Sequence, residues 1–251
     1  MKRRSFSYQS GLALILSVLF SIGARANTLV IVLRNEHNTI IAADSKLKKT
    51  EGGNDSSVCK IHISNDVSWA TTGIVQEPHK PFNLWNITDA AIKLGGSLDD
   101  VAARIEGNVA SQLKEMLPRI KRTEPNSYKE AIRTAFIATV ILIRKDDLRM
   151  IDFLLPDKNA PENIKIVRRG CPGELCPAGQ TLLMSGFVGA ANAERLRYRN
   201  LWQEKGLVGG LNYLMEIEHA AMPDFVGPPV AILKIDESGT VEWLQKGKCG
   251  G

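Results

Sequence analysis

Thr28-Leu-Val-Ile-Val-Leu-Arg34, Thr39-Ile-Ile-Ala-Ala43-Asp44-Ser45 and Val58-Cys59-Lys60-Ile61-His62-Ile63 are the runs on which the reading of the fold turns. The first is apolar and rich in β-branched residues. It reaches the second through the turn Glu36-His37-Asn38, so the two read as a hairpin with the carboxylate of Asp44 at its far end. A polar, glycine-containing loop, Lys46 to Ser57, leads to the third run, which also reads as a strand; Ser64-Asn65-Asp66 then turns the chain into a fourth, Val67 to Thr72. Lys60 thereby falls inside a strand of a sheet that reads as buried.

Thr28, Asp44 and Lys60 are spaced by two equal steps of sixteen residues. With Ala42-Ala43-Asp44-Ser45 and Lys60-Ile61-His62-Ile63 around them, these residues resemble the catalytic β-subunits of the proteasome, members of the N-terminal nucleophile hydrolases. The resemblance is strongest over residues 28–73 and continues, in order of elements, to residue 245. It implies a threonine nucleophile at Thr28, an activating lysine at Lys60 and an orienting aspartate at Asp44. When the strands are aligned instead by their Leu-Val-Ile runs, Thr28 slides to the third residue of the family pattern, because the turn at Asn35 to Asn38 is two residues longer.

The chemistry accounts for those residue types. A threonine hydroxyl is a weak nucleophile, and a terminal α-amine, with an ordinary pKa of about 7.7–8.0, can take its proton directly or through water. A neighbouring ammonium favours the attacking form, and a carboxylate keeps that ammonium from being buried alone. Each residue also has a plainer structural use. Thr28 can simply open a strand, Asp44-Ser45 can end one, and Lys60 can point to solvent from a sheet edge.

Met1-Lys2-Arg3-Arg4, the apolar run Gly11 to Ile22 and Ala24-Arg25-Ala26 have the three parts of a secretory signal peptide, with cleavage expected after Ala26. The apolar run is shorter than the roughly 20 residues of a spanning helix, so no stable membrane insertion is expected after cleavage. Residues 27–251 then form a single domain, periplasmic or secreted. The formal charge of +5 includes Lys2, Arg3, Arg4 and Arg25; without them 32 basic residues become 28 against 27 acidic. The basic character therefore belongs to the targeting segment and gives no argument for nucleic acid.

Further along, Asn83 to Leu94 reads as a helix stopped by Gly95-Gly96. Ser97-Leu-Asp-Asp100 has the form of a capping box, and Val101, Ile105, Val109, Leu113 and Leu117 recur at helical spacing up to Pro118. A short helical piece at Ser127 to Arg133 precedes strands at Ala135 to Ile143 and Arg149 to Leu155, with further strands at Ile164 to Val167 and Thr181 to Met184. Ser185-Gly186 opens a helix to about Glu204, a second helix spans Gly206 to Met222, and Val230 to Ile235 and Val241 to Leu244 close the chain. Periodicity gives an α+β fold. The resemblance implies its four-layer αββα sandwich form, and it nominates Ser185 and Asp224 as residues supporting the nucleophile. Gly227, Pro228 and Pro229 stand where the family carries a serine and glycines.

His37, His62, His79 and His219 have no metal-ligand spacing with one another or with the cysteines, so neither metal nor cofactor is expected. His62 shares a strand face with Lys60. Cys171 and Cys176 bracket Pro-Gly-Glu-Leu, and a disulfide is expected there; Cys59 and Cys249 are the other available pair. Two functions follow from the reading. One is a threonine-type hydrolase acting on a peptide or small amide, an acylase-type amidase being a variant of it; the other is a noncatalytic relative kept for assembly or ligand binding. A homo-oligomer is compatible with both.

Overall fold

The computed structural model describes residues 25–26, 28–35, 37–47, 56–76, 82–123, 125, 128–129, 132, 135–176 and 181–249. Residues 1–24 of the expected signal peptide, together with Asn27, His79 and most of the helical piece expected at 127–133, lie outside them. In chain order the strands and helices are β1 (Arg25–Ala26), β2 (Leu29–Arg34), β3 (Asn38–Ala43), β4 (Lys46–Leu47), β5 (Ser56–Ser57), β6 (Ile61–Ser64), β7 (Val67–Ile74), α1 (Leu84–Lys93) and α2 (Leu98–Thr123). There follow β8 (Phe136–Arg144), β9 (Asp147–Leu154), β10 (Lys165–Cys171), β11 (Thr181–Gly186), α3 (Gly189–Arg197), α4 (Leu201–Ala221), β12 (Ala231–Asp236) and β13 (Val241–Gln245).

The fold is mixed α+β with antiparallel sheets. One sheet runs β1-β7-β8-β9-β10, with β6 also on β7; the other runs β11-β2-β3-β12-β13, and β4 pairs with β5. The hairpin forms in the register Val30↔Ala43, Val32↔Ile41 and Arg34↔Thr39. All five residues from Leu29 to Leu33 are buried, and the two-residue period of a strand sends them to two different cores. Val30, Val32, Ile41 and Ala43 pack with Ile61, Ala70, Ile141 and Met150 of the other sheet. Leu29, Ile31, Ile40 and Ala42 pack instead with Leu211, Leu214 and Met215 of α4. A third core joins Trp69, Val140, Leu142 and Ile151 to α1 and α2 through residues such as Ile92, Val101 and Ile105. Each such buried aliphatic side chain contributes about 1.5–3 kcal/mol, which explains why the hairpin is apolar on both faces.

Some boundaries differ from the sequence expectation for local reasons. Lys60 stands immediately before β6 rather than within it. The long helix α2 continues through Pro118 to Thr123. A proline removes one N–H and crowds the carbonyl four residues back, here that of the exposed residue Lys114. The helix expected from Ser185 to Glu204 is instead the end of β11, then α3, then the first turn of α4, whose path breaks at Gly206 with φ 64°. Only a residue without a Cβ adopts that backbone cheaply. Cys171 is bonded to Cys176 and Cys59 to Cys249, so the second bridge, left open by the sequence, ties the approach to β6 to the chain's end.

Candidate functional site

Asp44 is held where β3 ends and its backbone turns out of the sheet. Its Oδ1 accepts from the Leu29 N–H at 2.9 Å, and its Oδ2 accepts from the N–H groups of Lys46 at 3.0 Å and Gly227 at 3.2 Å. Lys60 Nζ completes the set, donating to Oδ2 at 3.0 Å with both side chains fully inaccessible to solvent. Burial pushes the Asp44 carboxyl up and the Lys60 ammonium down from their ordinary values, and each charge opposes the other's shift. The mutual attraction and the three backbone donors offset part of the desolvation cost of the pair.

Thr28 precedes β2 by one residue and is completely buried. Because Leu29 is bonded to Asp44, Thr28 is one residue from the carboxylate–ammonium pair. Its carbonyl accepts from the Phe187 N–H at 3.2 Å, while its Oγ1 is buried with no hydrogen-bond partner among the described residues. Just upstream, the backbone of Arg25–Ala26 pairs with Gly73 and Ile74, so Arg25–Ala26 belong to one sheet and Leu29–Arg34 to the other.

Ser185 reaches the same region from β11, in register with Val30. Its hydroxyl and that of Thr72 are 2.9 Å apart, a buried contact between the two sheets. The next residue, Gly186, has φ +94°, and a Cβ there would lie 1.6 Å from the Thr28 carbonyl oxygen. Gly186→Ala is therefore expected to cost several kcal/mol, combining left-handed strain of about 1–3 kcal/mol with displacement of the Thr28 backbone. Urea denaturation measures this, and a wild-type midpoint would refute a close approach of Gly186 to the Thr28 carbonyl.

Asp224 is not brought to the pair. It is exposed on the turn after α4, and none of the hydrogen bonds to Asp44 or Lys60 comes from it. Gly227, three residues on, is the contact that this junction supplies. Its N–H reaches Asp44 and its carbonyl accepts from Ser45. Sequence reasoning missed Gly227 and Thr72. Thr72 could have been found from strand alternation, since it lies two residues after Ala70, which faces the opposite sheet. Gly227 had no signal, because its role is a main-chain contact. His62, expected on the same strand face as Lys60, lies instead on the face turned to α1 and against Trp69, because Lys60 stands before β6 and turns to Asp44. Among the described residues no three His, Cys, Asp or Glu side chains gather as metal ligands.

No protein-family profile and no curated protein sequence matches the chain. Among solved structures it is similar to the Anbu (Gly-1) mutant from Hyphomicrobium sp. strain MC1, with 14% identity and a TM-score of 0.47 over 86% of this chain and 84% of that one. It is similar also to Anbu (ancestral beta-subunit) from Yersinia bercovieri, with 12% identity and a TM-score of 0.46 over 87% of each chain. A third likeness is to Thiobacillus denitrificans BPH in complex with epoxomicin, with 16% identity, a TM-score of 0.45, and 83% of this chain and 98% of that one covered.

Proposed function

We propose that the chain is the precursor of a proteasome-like N-terminal nucleophile hydrolase, a four-layer αββα sandwich that cleaves a peptide or small amide with Thr28. The observation that carries this reading is the Thr28 hydroxyl, buried without a partner one residue from a fully buried Asp44–Lys60 pair. A hydroxyl left unpaired in a protein interior costs about 1–3 kcal/mol, and such a group calls for a reason. The three separate cores, helix to sheet, sheet to sheet and sheet to helix, support the layering.

In the proposed reaction, signal cleavage after Ala26 leaves Asn27 at the terminus, and a second trimming step that removes Asn27 frees the Thr28 α-amine beside its own hydroxyl. The amine takes the hydroxyl proton, Oγ1 attacks the substrate carbonyl, and the proton passes to the leaving amine as the amide C–N bond breaks. Water then cleaves the ester, restoring the hydroxyl and releasing the acid. Lys60 supplies positive potential, Asp44 holds Lys60, and the hydroxyl pair Thr72–Ser185 lies at the same end of the sheet interface. Removal of residues before Thr28 would also clear the strand position along Gly73 and Ile74 that Arg25–Ala26 occupies, leaving main-chain groups for an extended substrate. Two disulfides among the described residues suit the periplasmic or secreted location proposed from the N-terminal segment. No helix among the described residues is long and apolar enough to cross a membrane.

One observation favours the noncatalytic alternative: the four donors on Asp44 join β2, β4, the approach to β6 and the Gly227 loop, which is what a purely structural ion pair would do. Terminal sequencing and labelling separate the two. Mature protein beginning at Thr28 is expected to react with an electrophile that needs both a hydroxyl and a free α-amine, and Thr28→Ala is expected to abolish labelling and turnover while keeping the fold. Mature protein beginning at Asn27, unlabelled and inactive on a broad amide panel, would refute the hydrolase.

A further inference from the structure

Outside the Thr28 region, the outer face of β6 and β7 carries an aromatic cavity at the first turns of α1. It has a volume of about 390 Å³, within the roughly 300–1,000 Å³ usual for small-molecule sites. His62 and Trp69 are cross-strand partners with rings stacked at 4.3 Å, and Trp85 tilts over His62 at 5.8 Å. The indole N–H groups are already used. Trp85 Nε1 donates to Thr71 Oγ1 at 2.8 Å, and Trp69 Nε1 donates to Ser64 Oγ at 3.2 Å. Trp69 is 2% exposed and covered by His62, so what the walls offer a ligand is the ring face of the half-buried Trp85.

The polar groups at its open side are few. His62 Nε2 is closed off from solvent, whereas Asn86 is exposed at the rim, where its backbone N–H donates to Asn83 Oδ1 at 3.0 Å. Asp89 Oδ1 accepts from Ser64 Oγ at 2.6 Å and has lone pairs to spare. Burial lowers the His62 pKa, against the pull of Asp89, so at neutral pH the ring carries one donor and one acceptor nitrogen.

Charge selects the ligand class. Asp89 is already paired with Lys93 at 2.6 Å, so the cavity holds no uncompensated charge. A cation would meet Lys93 and the positive end of α1, and an anion would meet Asp89. A neutral molecule with one apolar face and hydroxyls at its edge meets neither penalty. We propose that this cavity binds a neutral carbohydrate ring, a pyranose whose C–H face lies on Trp85 while its hydroxyls reach Asn86 and Asp89. Such a site is independent of the Thr28 chemistry, and the Thr28→Ala protein is expected to keep it.

Ligand-observed saturation-transfer NMR tests this with the methyl glycosides of glucose, galactose, mannose and N-acetylglucosamine, and with indole and tetramethylammonium as competing chemistries. At least one glycoside is expected to show transfer, strongest at its ring C–H protons, with a millimolar Kd. Trp85→Ala is expected to abolish it and Asn86→Ala to weaken it by about tenfold. Asn86 is exposed, so its variant remains informative if Trp85→Ala fails to fold. Absence of transfer to all four glycosides, binding of indole or tetramethylammonium in their place, or glycoside binding indifferent to Asn86→Ala in a folded protein would each overturn the proposal.

Discussion

Lys60→Met is expected to destabilise the protein by about 3–5 kcal/mol, a large share of the total stability of an ordinary domain. The substitution nearly preserves side-chain volume, so the loss isolates charge. Asp44 would remain 1% exposed, with three backbone N–H groups but no cation beside it. Lys60→Ala adds a cavity and should cost more. Asp44→Asn should also be costly, because the amide replacing Oδ2 would present N–H to the donors of Lys46, Gly227 and Lys60. The two residues act on one another, so the Asp44→Asn/Lys60→Met pair is expected to lose clearly less than the sum of the single changes. Urea denaturation of the four proteins gives the coupling directly. A Lys60→Met midpoint equal to wild type would mean that the pair is not closed in solution.

Breaking the Cys59–Cys249 bridge is the other change expected to be large. It closes a loop of 190 residues, and the chain-entropy argument gives such a link about 5 kcal/mol. The Cys171–Cys176 bridge spans only 5 residues and on the same argument gives about 2 kcal/mol. Cys59 also precedes Lys60 directly, so losing its anchor loosens the segment that carries the ammonium to Asp44. The Cys59→Ala/Cys249→Ala protein should therefore unfold at much lower denaturant than Cys171→Ala/Cys176→Ala. Equal midpoints for the two double variants would contradict both the loop-length argument and the link to Lys60.

The contrast between these sites shows how far sequence carries. The hairpin of β2 and β3 and the helical face of α2 were readable because a strand repeats every two residues and a helix every 3.6, so burial leaves a local pattern. Asp44 and Lys60 were nominated by spacing and by resemblance, and a lysine among Ile61 and Ile63 asked for a charge partner wherever the chain went. The break at Gly206 and the passage through Pro118 were not readable. Each depends on whether a neighbouring backbone group can reach water or adopt a positive φ, and residue identity states that only as a tendency.

By itself the sequence determined the α+β class, the buried hairpin and the carboxylate at its end. Which sheet faces which, and what meets Asp44 and Thr28, was decided by tertiary structure. Ser185 meets Thr72 across 113 residues and Gly227 meets Asp44 across 183, while Asp224, chosen from the same junction, points to solvent. Periodicity records which face of an element is buried, but not which distant element covers it. A backbone N–H such as that of Gly227 is common to every residue except proline, so no side chain marks where it will be used.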